Sequence, residues 1–353
     1  MIHKNRFQYQ KSMIRTKKAV VFLTAIMLLL SLLCGCGRRQ EAYEKTFFCL
    51  DTVVTLTIYA DVSDEEQTRQ LLEEAAGMCE YYDSMLSRTK EGSDIYEINH
   101  AGGEWTFVSD ETISLLYQAL SYCDVTGGKI DITIAPAKDL WDFDPDGSMA
   151  VPTDAQLAQA LSHVDYHNVE LSGNKVRLAD PQAAIDLGFI AKGYIADQLK
   201  SYLLSKQVDS ALINLGGNVL AIGEKPDHTP FRVAIRKPFA AENESLMTVD
   251  CADRTKDTYA SVVTSGIYER YFMSNDKLYH HILDSSTGKP VKTDLNSVTI
   301  LTDSSTQADA LSTVCMILGK DDGISFLTSL GDGVEAIFVT RENEVIDTRD
   351  LKK

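Results

Sequence analysis

Two periods run along the chain from about residue 47 onward, and together they define its elements. Thr52-Val53-Val54-Thr55-Leu56-Thr57-Ile58-Tyr59 is β-branched and partly alternating, so it predicts a strand. Ser63-Asp64-Glu65-Glu66 has the form of a capping box; the helix it opens carries Leu71, Leu72, Ala75, Ala76, Cys79, Tyr82 and Met85 on one face. Ser109-Asp110 opens a second helix through Leu115, Leu116, Ala119 and Leu120, ended by Gly127-Gly128. Between them, residues 87–103 are polar and glycine-bearing and are expected as a loop. Residues 129–135 alternate like a strand that Pro136 stops, and Asp131 among apolar neighbours needs a partner.

Further on, Ser172-Gly173-Asn174 turns a hairpin, and residues 183–194 read as a strand, a glycine bend and a helix start running on through Ala196, Leu199 and Leu203. Gly216-Gly217 interrupts an apolar run without GxGxxG spacing, so a hairpin is expected there rather than a dinucleotide-binding loop. Short strands follow at 232–236, 260–265, 269–273 and 277–283, with Asn275-Asp276 as a turn. The apolar run Ser297-Val298-Thr299-Ile300-Leu301 is a strand; after a polar turn at 303–306, a helix carries Leu311, Val314, Cys315 and Leu318 inward. This close strand spacing predicts an α+β fold, with largely antiparallel sheets flanked by helices in one large domain of two lobes.

The first 36 residues read as an address. Six basic residues and no acid precede a 15-residue apolar run from Ala19 to Leu33, which is short for a membrane span. It ends in Leu33-Cys34-Gly35-Cys36, which resembles the bacterial lipoprotein box with Cys36 as the lipid acceptor; an uncleaved anchor is the alternative. The expected organisation is a signal peptide over 1–36, a polar tether over 37–46 and a catalytic domain over 47–353. The chain is thereby expected to be lipid-anchored at the cell membrane, facing its outer side. The sequence has 34 basic and 51 acidic residues, and without the six in the signal 28 basic residues remain, which argues against nucleic acid as a partner. Cys49, Cys79, Cys123, Cys251 and Cys315 lack a CxxC pair and are expected mostly as buried thiols, with one disulfide left open.

Candidate chemistry gathers in three places. Asp309 and Thr313 are four apart, so a helix stacks them on one face as oxygen donors suited to a hard cation such as Mg²⁺. The bland alternative is that Asp309 caps the helix and Thr313 bonds to its own backbone. Lys192 stands at a helix start, where the macrodipole prefers an acid and a phosphate would suit it. His281 lies near a strand end with Asp284 close by: either a general base beside an acid, or a strand histidine with a turn aspartate. No third ligand at a suggestive spacing supports zinc.

Seven stretches occur in an order that resembles one family over residues 47–330. They are Leu50-Asp51-Thr52-Val53-Val54-Thr55, Gly128-Lys129-Ile130-Asp131-Ile132-Thr133, and Asp186-Leu187-Gly188-Phe189-Ile190-Ala191-Lys192-Gly193-Tyr194. Asn214-Leu215-Gly216-Gly217-Asn218, Thr264-Ser265-Gly266, His281-Ile282-Leu283-Asp284-Ser285-Ser286-Thr287-Gly288 and Ala308-Asp309-Ala310-Leu311-Ser312-Thr313 complete the set. In this the chain resembles the FAD:protein FMN transferases, the ApbE family. The resemblance implies Mg²⁺ on Asp309, Thr313 and the carbonyl of Phe189. It implies FAD as substrate, held by Leu50, Thr89, Lys129, Ile130, Asp131, Asp186, Lys192 and Ile282. His281 becomes the implied base with Asp284 beside it, and the implied acceptor is a hydroxyl of a flavoprotein on the outer side of the membrane. Asp51, Thr89 and the Ser285-Ser286 pair depart from the family's common glycine, aromatic residue and Pro-Arg.

Overall fold

The alternating run at Thr52 folds as its pattern requires: Val54, Leu56 and Ile58 are buried and lie opposite Leu215, Ile213 and Ala211 of a neighbouring strand. The structure is a computed structural model that describes residues 40–144, 147–241, 244–253 and 258–351. Its elements begin with β1 (Gln40–Cys49), β2 (Thr52–Asp61), α1 (Glu65–Leu86), α2 (Asp94–His100), β3 (Thr106–Phe107), α3 (Asp110–Val125), α4 (Ala135–Lys138) and α5 (Asp154–Leu161). Then come β4 (Val169–Ser172), β5 (Lys175–Leu178), α6 (Ala191–Ser205), β6 (Ala211–Leu215), β7 (Asn218–Ile222), β8 (Phe231–Arg236) and β9 (Ser245–Cys251). The last part holds β10 (Ser261–Gly266), β11 (Tyr271–Ser274), β12 (Lys277–His280), β13 (Leu295–Thr302), α7 (Ser305–Leu318) and α8 (Lys320–Ser329). It ends with β14 (Glu335–Thr340), β15 (Val345–Asp347) and α9 (Thr348–Leu351).

Eight strands form one sheet in the order β1-β2-β6-β7-β10-β13-β14-β15, and the pairings from β2 onward are antiparallel. The α+β expectation holds. Every residue of β13 is buried, because the sheet is covered on both faces. Val298 and Ile300 pack with Leu311 and Cys315 of α7, while Leu301 joins Phe231, Ile235 and Val249 of the β8–β9 hairpin. A larger core joins α1, α3 and α6 to β2, β6 and β7. Residues 42–60 and those from 65 onward make one compact unit. Residues 40–41 and 61–64 group apart from it, and there Asp61 Oδ1 accepts the Ser63 N–H at 2.9 Å.

Several expectations need correction. The segment read as a tether over 37–46 is strand β1 from Gln40 on, hydrogen-bonded at the sheet edge to β2. Residues 129–134 alternate in polarity yet form a turn and not a strand. The buried Asp131 carboxylate accepts from Thr133 N (2.8 Å), Thr133 Oγ1 (2.6 Å) and Tyr166 N (3.0 Å), and those bonds curl the chain. Pro136 then opens α4 instead of stopping a strand, since a missing N–H costs nothing in a first helical turn. Residues 185–187 are likewise irregular; Ala184 makes one isolated bridge to Ile134. The loop expected over 87–103 contains α2, capped by Ser93. Gly216 and Gly217 turn the β6–β7 hairpin at φ 65° and 91°, a left-handed conformation that glycine adopts without strain. The expected signal peptide and Cys36 lie outside the described residues; among those described, no helix is long and apolar enough to cross a membrane.

Candidate active site

The site is organised by two crossing helices, α6 and α7. Ser304 caps α7 by accepting from Gln307 N at 3.3 Å. Asp197 of α6 reaches the same helix start, accepting from Ser305 N and Thr306 N at 2.9 Å each and from Thr306 Oγ1 at 2.6 Å. A carboxylate on the positive end of a helix dipole fixes one helix against the other. Asp309 is therefore not the cap. The back-bonding hydroxyl is Ser312, whose Oγ donates to the Asp309 carbonyl at 2.8 Å, while Thr313 Oγ1 pairs with Ser265 Oγ at 3.2 Å.

Gly193 lies where the helices touch, and a Cβ there would sit 2.2 Å from the Ser305 carbonyl oxygen. That closeness lets Gly193 N donate to Asp309 Oδ2 at 2.8 Å. Asp309 is only 5% exposed, and burial pushes its carboxyl up to about 6 although Lys192 and the Gly193 N–H favour the anion. Asn218 stands close by, its Oδ1 accepting from Ser305 Oγ at 2.6 Å and its side chain also favouring the Asp309 anion. Asp309, the Thr313 hydroxyl and the Phe189 carbonyl are all oxygen donors, and a buried carboxylate is stabilised by a cation. The donor set fits a hard ion such as Mg²⁺. Among the described residues no group of three or more His, Cys, Asp and Glu side chains is placed to hold a metal.

Two adjoining chambers open onto this helix pair. One, of about 340 Å³, is lined by Leu50, Asp51, Lys192, Asn218, His281, Asp309 and Thr313 among others. The other, of about 110 Å³, is lined by Lys129, Ile130, Asp131, Asp186, Phe189, Ile282 and their neighbours. Lys138, Gly188, His281 and Thr313 line both.

His281 follows β12 directly. Its backbone N and ring Nδ1 lie 3.1 and 3.2 Å from the Arg270 carbonyl, which can only accept. The proton is thus on Nδ1, and Nε2 carries the lone pair. Burial, with Lys138, His280 and Lys192 nearby, holds the ring down to about 3, so it is neutral at neutral pH. In the smaller chamber the Asp186 carboxylate binds Lys138 Nζ at 2.7 Å and Arg88 Nε at 3.0 Å, and Arg88 Nη2 also reaches Asp139 at 2.6 Å. Burial alone would raise the Asp186 carboxyl, but the two cations hold it below the usual range.

Eleven of the expected site residues line these chambers: Leu50, Lys129, Ile130, Asp131, Asp186, Phe189, Lys192, His281, Ile282, Asp309 and Thr313. Within that set the Asp131 carboxylate is spent on the 131–133 turn and on Tyr166. Two do not join them. Thr89 is exposed in the α1–α2 connection, bonded to Ser87, and lines neither chamber. Asp284 does not serve the His281 ring: its Oδ1 accepts from Ser286 N (2.8 Å) and Ser286 Oγ (2.6 Å), a turn formed by its own loop. Sequence reasoning missed Arg88, Lys138, Asn218 and Asp197. Only Asn218 carried a signal, as the last residue of a quoted motif.

The profile of the ApbE family matches residues 50–338. A FAD:protein FMN transferase of Treponema pallidum (strain Nichols) is 32% identical over 341 residues, covering 91% of this chain and 92% of its own. One from Klebsiella pneumoniae (strain 342) is 35% identical over 268 residues, covering 75% and 80%. Among solved structures, the ApbE protein from Thermotoga maritima superposes with a TM-score of 0.79 at 29% identity, covering 88% of this chain and 98% of its own. The flavin transferase ApbE from Vibrio cholerae gives 0.74 at 25% identity, covering 88% and 97%. With a family match that spans most of its length, this chain belongs to the ApbE family.

Proposed function

We propose that this enzyme is an Mg²⁺-dependent transferase that moves the FMN half of FAD onto a threonine or serine of an acceptor flavoprotein and releases AMP. One observation carries the reading: His281 after β12, Lys192 of α6 and the Asp309–Thr313 pair of α7 line one chamber. The names of the relatives support it. Asp309, Thr313 and the Phe189 carbonyl would hold Mg²⁺, and the ion supplies charge neutralisation for a pyrophosphate.

The rest of the work falls to side chains. Lys192 has no ion-pair partner among the described residues, so its ammonium is free for a phosphate oxygen. Leu50 and Ile282 offer apolar walls for the flavin, and the Asp186–Lys138–Arg88 group braces the smaller chamber. His281 Nε2 takes the proton from the acceptor hydroxyl as its oxygen attacks the FMN-side phosphorus. The bond from that phosphorus to the bridging oxygen breaks, and AMP leaves with the electron pair. A lipid on Cys36 would tether the chain at the outer membrane face, where its acceptors would also stand.

The test incubates the purified full-length chain with FAD and Mg²⁺, with and without an acceptor flavoprotein, and resolves products by mass and in-gel flavin fluorescence. Flavin bound covalently to the acceptor supports transfer. Free FMN and AMP without adduct would make it a pyrophosphatase, and intact bound FAD a flavin carrier. Asp309→Ala should abolish metal-dependent turnover, and His281→Ala should retain FAD binding while transfer falls about 10²-fold or more. Unchanged turnover in either variant overturns that residue's role.

A further inference from the structure

A second cation waits at the mouth of the larger chamber. The β1–β2 turn consists of Leu50 and Asp51, at φ 56° and 54°, and both residues line that chamber with Lys192, His281 and Asp309. Left-handed backbone is costly for leucine, so the turn holds these two side chains in place against a local preference. Facing it, Arg270 is pinned by its own carbonyl, which accepts from His281 N at 3.1 Å and lies 3.2 Å from His281 Nδ1. Its guanidinium reaches across the opening to Asp51, with Nη2 and Oδ2 3.4 Å apart. The two side chains are 55% and 79% exposed, and a contact this long and this wet holds weakly.

Of the other charges lining the chamber, Lys138 is committed to Asp186, Lys192 stands beside Asp309 as the inner phosphate contact, and Glu269 adds a negative charge next to Arg270. A pyrophosphate entering an acidic protein therefore meets Arg270 as the cation at the rim that can be exchanged. The planar guanidinium fits two phosphate oxygens at once, which a carboxylate at 3.4 Å does not satisfy.

We propose that Arg270 is a phosphate-gripping arm, parked on Asp51 in the free enzyme, that transfers to the pyrophosphate when the nucleotide enters. Asp51 is the counterweight. It keeps the arm beside the opening and makes the grip conditional on a ligand that carries phosphate. This rests on the reading of the site as one for FAD, and it adds the residue that selects the pyrophosphate and the residue that restrains it. The Arg270 carbonyl already fixes the His281 tautomer, so the arm's anchor and the base are one rigid piece, and the side chain can move without disturbing the ring.

Equilibrium binding of FAD, of ADP (the pyrophosphate without flavin) and of riboflavin (flavin without phosphate) tests this on the full-length protein with Mg²⁺. Arg270→Ala should weaken FAD and ADP about tenfold each and leave riboflavin unchanged, with Arg270→Lys in between. Asp51→Asn should tighten FAD several-fold, and that gain should shrink when Arg270 is alanine. Thermal unfolding should be the same in all variants, since the pair is exposed. Unchanged FAD and ADP affinity in Arg270→Ala overturns the proposal. An Asp51→Asn gain of equal size with and without Arg270 overturns the parking contact. If ADP binding depends on Arg270 but no FMN transfer occurs, the arm stands and the transferase reading falls.

Discussion

Replacing Gly193 by alanine tests the helix crossing on which the site depends. In an ordinary helix the change stabilises by about 0.5–1 kcal/mol, because glycine is the poorer helix former. The Gly193 backbone permits it, since φ is not in the left-handed region. The contact forbids it. The new Cβ would lie 2.2 Å from the Ser305 carbonyl oxygen and 2.7 Å from Asp309 Cβ, whereas ordinary contacts begin near 3.4 Å. Helix α7 must back away by about 1 Å, and its obstacle is backbone and cannot rotate aside. Overpacking of this kind costs about 1–3 kcal/mol, so the net expectation is a loss of about 1–2 kcal/mol. The same movement carries Asp309 off Gly193 N, and a displacement of about 1 Å at a reacting centre can cost about 10²-fold in rate. Gly77, exposed in α1 with nothing within 4 Å of its Cβ position, is the control: Gly77→Ala should gain about 0.5–1 kcal/mol. Urea unfolding of both variants, followed by circular dichroism, with FAD turnover measured alongside, reads out opposite signs. A Gly193→Ala protein as stable and active as the parent would refute the close crossing.

Asp197→Ala should cost about 2 kcal/mol in thermal unfolding and speed hydrogen exchange at the Ser305 and Thr306 amides, which lose their acceptor; Asp197→Asn should lose less. His280 is buried and its ring is held down to about 4, first by burial and then by the Arg341 charge, against 6.5 when unfolded. The unfolded chain takes up a proton that the fold refuses, so stability is lost as pH falls from about 6.5 towards 4, by about 2 kcal/mol at pH 5. Urea titrations at pH 7, 6 and 5 should show His280→Gln losing less than the parent over that range; equal slopes would remove His280 as the cause.

Periodicity carried the reading of α7 a long way. A helix places residues four apart on one face, and Asp309 and Thr313 do face one cleft. It failed at residues 129–134 because alternation of polar and apolar side chains is also what a turn produces when its polar members, Asp131 and Thr133, bond to each other inside. It failed again at Asp284, where nearness in sequence to His281 suggested a pair; the acid's Oδ1 is used by Ser286, and the ring's partner is the Arg270 carbonyl. Asp197 capping a helix that begins at Ser305, and Asp186 drawing in Arg88 and Lys138, are contacts between segments remote in the chain. No local pattern encodes such pairs; the topology of the sheet makes them.

The five cysteines among the described residues, all free and buried, give the molecule a built-in clock. Burial pushes the Cys49 thiol up to about 11, those of Cys79, Cys123 and Cys251 to about 12, and that of Cys315 higher still. Reactivity belongs to the thiolate, so in the closed state none of them answers an alkylating reagent. They are also divided among the packed regions: Cys49, Cys79 and Cys123 in the larger core, Cys315 on the buried face of α7, Cys251 at the end of β9. The order in which a thiol reagent labels them therefore records which region breathes first. Labelling at a common rate would mean that the regions open together as one cooperative unit.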